Sequence, residues 1–398
     1  MNNVFIDVDY AQIYKHGQKI GGDVFLLSRN PESNQIVCTL SDGLGSGVKA
    51  NVLASLTAHM AHKLSFSPIS LSHSAEIIMN TLPVCKERKI SYSTFTIADI
   101  HYQENMENIK VRLVEYDNPL SLRFKDAEKI SWQREKNELQ RKAAFKKEVV
   151  QYSSFNMEIG ERLIMFSDGV AQAGLGKSLP LGWRNSGVEA FVRDLIAKEP
   201  DISSRELSAA IVQKANSLDG MCSKDDITAV VVYIRRPRKT LIVTGPPFLK
   251  ESDAILGEKI RAFDGRKIVS GGTTALIVSR LFNAKITVDL SCWSPDVPPA
   301  SRMEGIDLVT EGMLTLSQVA NVLEKKIPPS TLPNTPVRKF VEILLDSDQI
   351  HFLVGTKINE AHQDPNIPVE IGIRRTIVGR LRAALENIYL KETSQEYL

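Results

Sequence analysis

Four aspartates carry the chemistry this sequence could do. Asp23 stands in KIGGDVFLL, Asp42 in VCTLSDGLGSG, Asp168 in LIMFSDGV and Asp225 in SKDDITAVVVY. Each lies where an apolar, strand-forming run begins or ends. A carboxylate at a strand terminus projects beyond its sheet, so such termini can converge although they are distant in sequence. Gathered carboxylates repel one another and lose hydration unless cations neutralise them. All-oxygen ligand sets suit hard ions such as Mg2+ and Mn2+. Two such ions about 4 Å apart can share an activated water and clamp a phosphoryl group for in-line displacement. A single S-D-G is a turn, because Asp caps its own backbone and Gly takes positive φ. Two apolar strands each ending in S-D-G, followed by a D-D-I-T strand start, are a pattern that chance turns do not explain.

The elements that must position these residues are legible as apolar runs. Strands are expected at Asp23–Ser28, Gln35–Ser41, Ser91–Ile100, Lys110–Tyr116, Arg162–Ser167 and Ile227–Ile234, rich in Val, Ile, Phe and Thr and bounded by Gly, Asp and Asn. Helices are expected at Gly47–Leu64, Ser72–Asn80, Gly187–Ala197 and Ser204–Asn216, the last opened by Ser204 with Glu206 without a full capping box. Clustered strands with clustered helices argue for an α+β first domain. Lys125–Glu148 is highly charged and reads as a solvated hairpin extension or exposed helix, ahead of a docking arm.

IRRPRKT at Ile234–Thr240 breaks the chain, since charge and proline can neither continue a central strand nor pack a core. The boundary falls near Pro237 and gives domains 1–236 and 237–398. After it, strands at Thr240–Thr244, Lys267–Ser270, Lys285–Leu290 and Asp307–Thr310 alternate with helices, among them Leu314–Lys325, Val337–Leu345 and Gly372–Lys391. That is the rhythm of βα units, a smaller α/β domain with a mainly parallel sheet.

Composition excludes several classes. With 49 basic against 47 acidic residues, neither nucleic acid nor an anionic membrane is expected as a bulk partner. Cys38, Cys85, Cys222 and Cys292 lack metal-type or disulfide-type spacing, which fits a reducing compartment. MNNVFIDVDY is no signal peptide, and no apolar stretch approaches the roughly 18 residues of a spanning helix. The expectation is a soluble, cytoplasmic chain.

The pieces GGD at 21–23, DGLGSG at 42–47, YSTF at 92–95, NPL at 118–120, GERLIMFSDGV at 160–170 and DDIT at 225–228 resemble, in order, the metal-dependent type-2C protein phosphatases. The likeness is to the bacterial branch typified by the sporulation stage II E phosphatase and spans about Asp7 to Ile234. It implies a β-sandwich flanked by helices and a protein serine/threonine phosphatase using two Mn2+ or Mg2+ ions. By the same resemblance Asp42 bridges both ions as the central catalytic residue. Asp23 and the Gly43 carbonyl complete one ion's shell, and Asp168 and Asp225 hold the other. Water activated there attacks phosphoserine or phosphothreonine with no phosphoenzyme. Gly45 and Gly47 let the chain enter the next helix tightly. Leu44 stands where many eukaryotic relatives carry a histidine acid, so another group must protonate the leaving oxygen.

Other features have a plainer reading beside the functional one. Lys15 and Lys19 are candidate phosphate contacts, with solvated surface lysines the first reading. His59 and His62 lack a third ligand nearby and read as ordinary helix residues. AGLGKSLPLGW (173–183) is either a flap or an exposed connection. The helix at Gly47–Leu64 is a place where a partner could set metal occupancy. In the tail, Gly271, Gly272, Thr273 and Thr274 end a strand and open a helix. A tight βα turn with a threonine N-cap is the first reading and a small-anion site the second. IVGRLRAALENIYL is a basic amphipathic helix that packs on its sheet or joins a homo-oligomer.

The leading reading is therefore a phosphatase acting on a regulatory phosphoprotein, of the anti-sigma antagonist type by resemblance, with a regulatory or ligand-sensing tail. A catalytically silent scaffold competes. Four intact aspartates speak against it, since a silent chain has no need of a repulsive carboxylate cluster. A tail that is itself an enzyme lacks any convergent acid, base or nucleophile motif.

Overall fold

The run ITAVVVYIR at Ile227–Arg235 is buried along its whole length, as a strand covered on both faces requires. It belongs to the first of two compact units, Met1–Arg236 and Pro237–Leu398. The structure, a computed structural model, describes residues 4–30, 32–45, 47–67, 69–82, 93–103, 108–139, 148–291, 297–357, 368–389 and 391–398. Ser46, Cys85, Ser91, Tyr92, Cys292, residues 140–147 and Leu390 lie outside the described residues. Cys38 and Cys222 are free thiols.

The first unit's strands are β1 (Phe5–Ile13), β2 (Asp23–Asn30), β3 (Gln35–Gly43), β4 (Ser93–His101), β5 (Ile109–Tyr116), β6 (Leu122–Lys125), β7 (Glu128–Lys129), β8 (Glu135–Leu139), β9 (Glu148–Met157), β10 (Glu161–Phe166) and β11 (Ile227–Arg235). Its helices are α1 (Val48–Ser65), α2 (Leu71–Thr81), α3 (Asp168–Ala171), α4 (Arg184–Lys198) and α5 (Ser204–Leu218). One sheet runs β1-β11-β10-β6-β7 and the other β2-β3-β4-β5-β9-β8, with antiparallel neighbours throughout.

Alternation along the strands builds the layers. Ile36, Cys38 and Leu40 of β3 meet Leu163, Met165, Val230 and Val232 of the other sheet in the central core. Val37, between them, faces outward with Phe95 and Ile97 into a cluster completed by Ala61 and Ile78 of α1 and α2. On the opposite outer face Ile164 and Val231 pack against Val188 and Ile211 of α4 and α5. Each such side chain, fully buried, contributes roughly 1.5–3 kcal/mol. The result is an α+β sandwich of two sheets flanked by helices.

Three local readings change. Helix α5 does open with a full capping box, but its N-cap is Ser203: its Oγ accepts the Glu206 N–H while Glu206 reaches back to the Ser203 N–H. Strand β1 pairs with β11 along nine residues although FIDVDYAQI alternates with aspartates, because one of its faces is open. The described part of the charged stretch is no helix. It contains β7 and the edge strand β8, whose exposed charges suit a sheet edge.

The second unit contains β12 (Lys239–Thr244), α6 (Ser252–Ala262), β13 (Arg266–Ser270), α7 (Gly272–Phe282), β14 (Thr287–Asp289), β15 (Ala300–Met303), β16 (Ile306–Thr310), α8 (Met313–Glu324), α9 (Pro336–Asp346), β17 (Gln349–Val354), α10 (Pro368–Asn387) and β18 (Glu392–Tyr397). Its sheet order is β14-β15-β16-β13-β12-β17-β18, parallel from β16 to β18 and antiparallel at the β14–β15–β16 edge. Ile242, Ile268, Phe352 and Leu381 lie in the core on one face, and Val243, Val269, Leu256 and Val278 in that on the other. Among the described residues no helix is long and apolar enough to cross a membrane.

Candidate active site

Strand register brings the first two aspartates together. In the antiparallel β2–β3 pair Asp23 lies directly opposite Asp42, and opposed residues have Cβ atoms about 4.5–5.5 Å apart. The next residue, Gly43, donates its N–H to the Gly22 carbonyl at 3.2 Å. A Cβ on Gly43 would lie 2.0 Å from the Ala50 carbonyl oxygen, so only glycine lets α1 start this close to the end of β3.

The other pair arrives through the β10–β11 ladder, in which Phe166 pairs with Ala229. Just beyond it the Ser167 N–H donates to the Thr228 carbonyl, and the Thr228 N–H donates to Ser167 Oγ. Asp168 therefore opens α3 beside the turn that carries Asp225. A Cβ on Gly169 would stand 2.1 Å from the Asp226 carbonyl oxygen, so the second S-D-G needs its glycine for close packing.

The two halves are joined by Asp226, which sequence reasoning passed over in favour of its neighbour. Its buried carboxylate accepts the N–H of Lys15 at 2.9 Å and of Gly22 at 2.6 Å, tying the approach to Asp23 to the start of β11. Thr228 Oγ1 donates to Asp23 Oδ2 at 2.6 Å. The doubled aspartate and the threonine of D-D-I-T were the available signal.

Electrostatics show how tightly the group is held. Burial pushes Asp23 up to about 8, against hydrogen bonds from Thr228 and Ser167, with Asp226 and Asp168 adding repulsion. Asp42 is held well above the carboxylate range by burial and then by Asp23, Asp168, Asp225 and Asp226. Asp168 is raised by burial and by Asp225. Asp225 is raised by burial, with the Asp226 N–H and the Lys15 charge opposing. Lys15 thus acts on the site electrostatically, whereas Lys19 is an exposed surface residue.

These carboxylates fit a cation-binding group, because a positive ion relieves both the desolvation and the mutual repulsion. Among the described residues no group of three or more His, Cys, Asp or Glu side chains is placed so that it could hold a metal ion as it stands. Asp42 and Asp168 line a cavity of about 980 Å3 together with Leu44, Asp117, Asn118, Gln172 and Asn185. Asp23 and Asp225 are not among its lining residues. Asp117 adds an exposed carboxylate at φ 56°, a left-handed conformation, and the NPL motif gave no hint of it.

The remaining candidates fall outside this group. His62 Nε2 lies 3.1 Å from Ser28 Oγ and its ring meets Phe66 edge-on, while His59 is exposed. The 173–183 segment is pinned by Asp219, whose Oδ1 accepts the Gly174 N–H at 2.7 Å, and it lines no part of the cavity. In the second unit Gly271, at φ 130°, is itself the N-cap of α7 and makes no side-chain cap bond. The expected threonine cap is thus absent: Thr273 and Thr274 already lie in the helix, Thr273 exposed and Thr274 buried.

The family model described as Stage II sporulation protein E (SpoIIE) matches residues 32–235, just over half of the chain. The chain belongs to the SpoIIE family. Its first unit has the type-2C phosphatase fold of that family, and the match ends at the close of β11. Among solved structures, the SpoIIE phosphatase domain from Bacillus subtilis is similar at 16% identity and a TM-score of 0.44, covering 59% of this chain and 95% of that one. A Mycobacterium tuberculosis chain with RsbU and RsbW domains is similar at 14% identity and 0.43, covering 65% and 68%. The S. agalactiae serine/threonine phosphatase is similar at 12% identity and 0.41, covering 57% and 99%. Comparison with curated protein sequences found no match. The SpoIIE match takes in Asp42, Asp168 and Asp225 and begins after Asp23.

Proposed function

We propose that the first unit is a metal-dependent protein serine/threonine phosphatase that hydrolyses phosphoserine or phosphothreonine on a regulatory phosphoprotein. The observation that carries this reading is the carboxylate group in which Asp42 and Asp168 line a large cavity and Asp23 lies directly across the β2–β3 ladder from Asp42. Asp23, Asp42 and the Gly43 carbonyl would hold one Mn2+ or Mg2+ ion, and Asp42, Asp168 and Asp225 a second. When bound, such ions supply water activation and neutralise charge on the phosphoryl group.

The chain's own residues do the positioning. Thr228 and Ser167 orient Asp23, and Asp226 fixes the Gly21–Gly22 turn from which it projects. Asn118, Gln172 and Asn185 offer amide donors to phosphoryl or peptide oxygens along the cavity wall. Leu44 can hand no proton to the leaving oxygen, so water, a metal-bound water or another residue must supply it. A regulatory target of the anti-sigma antagonist type, a cytoplasmic setting and a ligand-sensing role for the second unit complete the proposal. The silent-scaffold reading is disfavoured because four mutually repelling carboxylates, Asp23 buried and the others half-buried, serve no scaffold.

Hydrolysis of p-nitrophenyl phosphate and of a phosphoserine peptide is to be measured with Mn2+, with EDTA, and in Asp42→Ala. Activity is expected with Mn2+ alone. Turnover that persists in EDTA or in Asp42→Ala would overturn the mechanism, and inactivity with every divalent ion would favour the scaffold.

A further inference from the structure

The cavity that Asp42 and Asp168 line has two further carboxylates on its wall, Glu115 and Asp117, and no lysine, arginine or histidine among its described lining residues. Glu115 is spent. It is 2% exposed, and its carboxylate accepts Arg134 Nε at 2.9 Å and the Ser121 N–H at 2.7 Å. Asp117 is exposed, and among the described residues neither a hydrogen-bond donor nor a cation meets its carboxylate. Two divalent ions would balance the charges of Asp23, Asp42, Asp168 and Asp225. Asp117 would then remain as the wall's uncompensated negative charge.

Strand register fixes where that charge stands. Asp23 pairs with Asp42, and Asp42 with Thr94. Phe95 pairs with Tyr116, so the next step along the ladder sets Thr94 beside Asp117. The row that begins at Asp23 and Asp42 thus ends at Asp117, two strand spacings, or about 10 Å, from Asp42. The alternation that turns Leu40 and Leu113 into the core between the sheets turns Asp42 and Asp117 to that same face. Glu115 pairs with Gln151, and Val149, two residues along β9, reaches the same end and face. Val149 and Leu120, 45% and 36% exposed, give this wall an apolar surface beside the carboxylate.

A peptide whose phosphoserine sits at the aspartates runs past this wall. In an extended peptide, side chains two residues apart point the same way and stand about 6.7 Å apart. A long basic side chain at that spacing covers the remaining distance. Its methylene stem can lie on Leu120 and Val149 while its charged head meets Asp117.

We propose that Asp117 is a specificity determinant, selecting phosphoprotein segments with an arginine or lysine two residues from the phosphoserine or phosphothreonine. The inference rests on the phosphatase reading and names the substrate class of that same site.

Three phosphoserine peptides are to be compared, alike except two residues before and two after the phosphoserine, where both positions are arginine, glutamine or glutamate. kcat and KM are measured for each with saturating Mn2+ in the full-length chain and in Asp117→Asn, with p-nitrophenyl phosphate alongside. Asparagine matches aspartate in size and tolerates the left-handed backbone at φ 56°, so the variant keeps the fold. The readout is the ratio of kcat/KM between peptides. The wild type is expected to favour the arginine peptide over the glutamine peptide about fivefold, chiefly through KM, with the glutamate peptide poorest. That preference should shrink as ionic strength rises from about 0.05 to about 0.5 M, and should vanish in Asp117→Asn. Equal kcat/KM for the three peptides in an enzyme that turns over p-nitrophenyl phosphate would overturn this inference alone. So would a preference that salt leaves untouched, or one that survives in Asp117→Asn. A loss of rate in Asp117→Asn that is equal for all three peptides would also overturn it, placing the carboxylate in the service of the metal group. A chain that hydrolyses neither p-nitrophenyl phosphate nor any peptide with any divalent ion would overturn the phosphatase reading and this inference with it.

Discussion

Gly169→Ala tests whether the second S-D-G is a packing constraint on the active site or only a turn. The added Cβ would lie 2.1 Å from the Asp226 carbonyl oxygen, where real Cβ contacts essentially never come below 3.0 Å. The segments carrying Asp168 and Asp225 must therefore part by about 0.9 Å. Overpacking of this kind costs typically about 1–3 kcal/mol, so the first unit should remain folded with a lowered melting temperature. Displacement of a catalytic group by about 1 Å can cost on the order of 100-fold in rate. The assay is kcat/KM for p-nitrophenyl phosphate with saturating Mn2+, beside Mn2+ affinity by calorimetry and thermal unfolding. The expected result is a fall of roughly 100-fold in kcat/KM with weakened Mn2+ binding. Wild-type kinetics together with a wild-type melting temperature would refute the reasoning, because the backbone would then have absorbed the methyl group without moving either aspartate.

Further outcomes follow from the same structure. Because Asp23 is raised from 3.8 to about 8, the folded metal-free chain binds a proton that the unfolded chain releases at lower pH; its stability should fall as pH rises across that window, and Mn2+ affinity should climb. Denaturant unfolding in EDTA at several pH values, with and without added Mn2+, checks both signs. Ser203→Ala removes the capping-box hydroxyl of α5 and should cost about 1 kcal/mol in urea unfolding. Arg123→Met leaves Glu161 unpaired at 4% side-chain exposure and should cost about 3–5 kcal/mol, whereas a pair worth nothing would leave the urea midpoint unchanged. Gly379→Ala, on α10 with no atom within 4 Å of the added Cβ, should stabilise the second unit by roughly 0.5–1 kcal/mol in thermal unfolding.

Much of this was legible locally. A short, β-branched apolar run such as β11 reads as a doubly covered strand, and a strand followed by S-D-G puts a carboxylate at its end. Both properties depend on near neighbours in the chain, so strands β2, β3, β4, β5, β10 and β11, the βα rhythm of the second unit and the four candidate aspartates could be read from the sequence. Strands β1, β6, β9, β15, β17 and β18 were not read from the sequence; among them FIDVDYAQI and ETSQEY are half-exposed and carry no apolar run. The Ser203 cap was missed by one residue, a shift that only backbone geometry resolves.

Only the tertiary structure decided how these residues meet. The register that sets Asp23 across from Asp42 depends on pairing between strands, and the link from Asp226 to Gly22 spans 204 positions. The depth of burial that raises the aspartates comes from two sheets and their helices closing together, which no local pattern encodes. Residue type determined what chemistry is available, and long-range packing decided which groups share a site and at what charge.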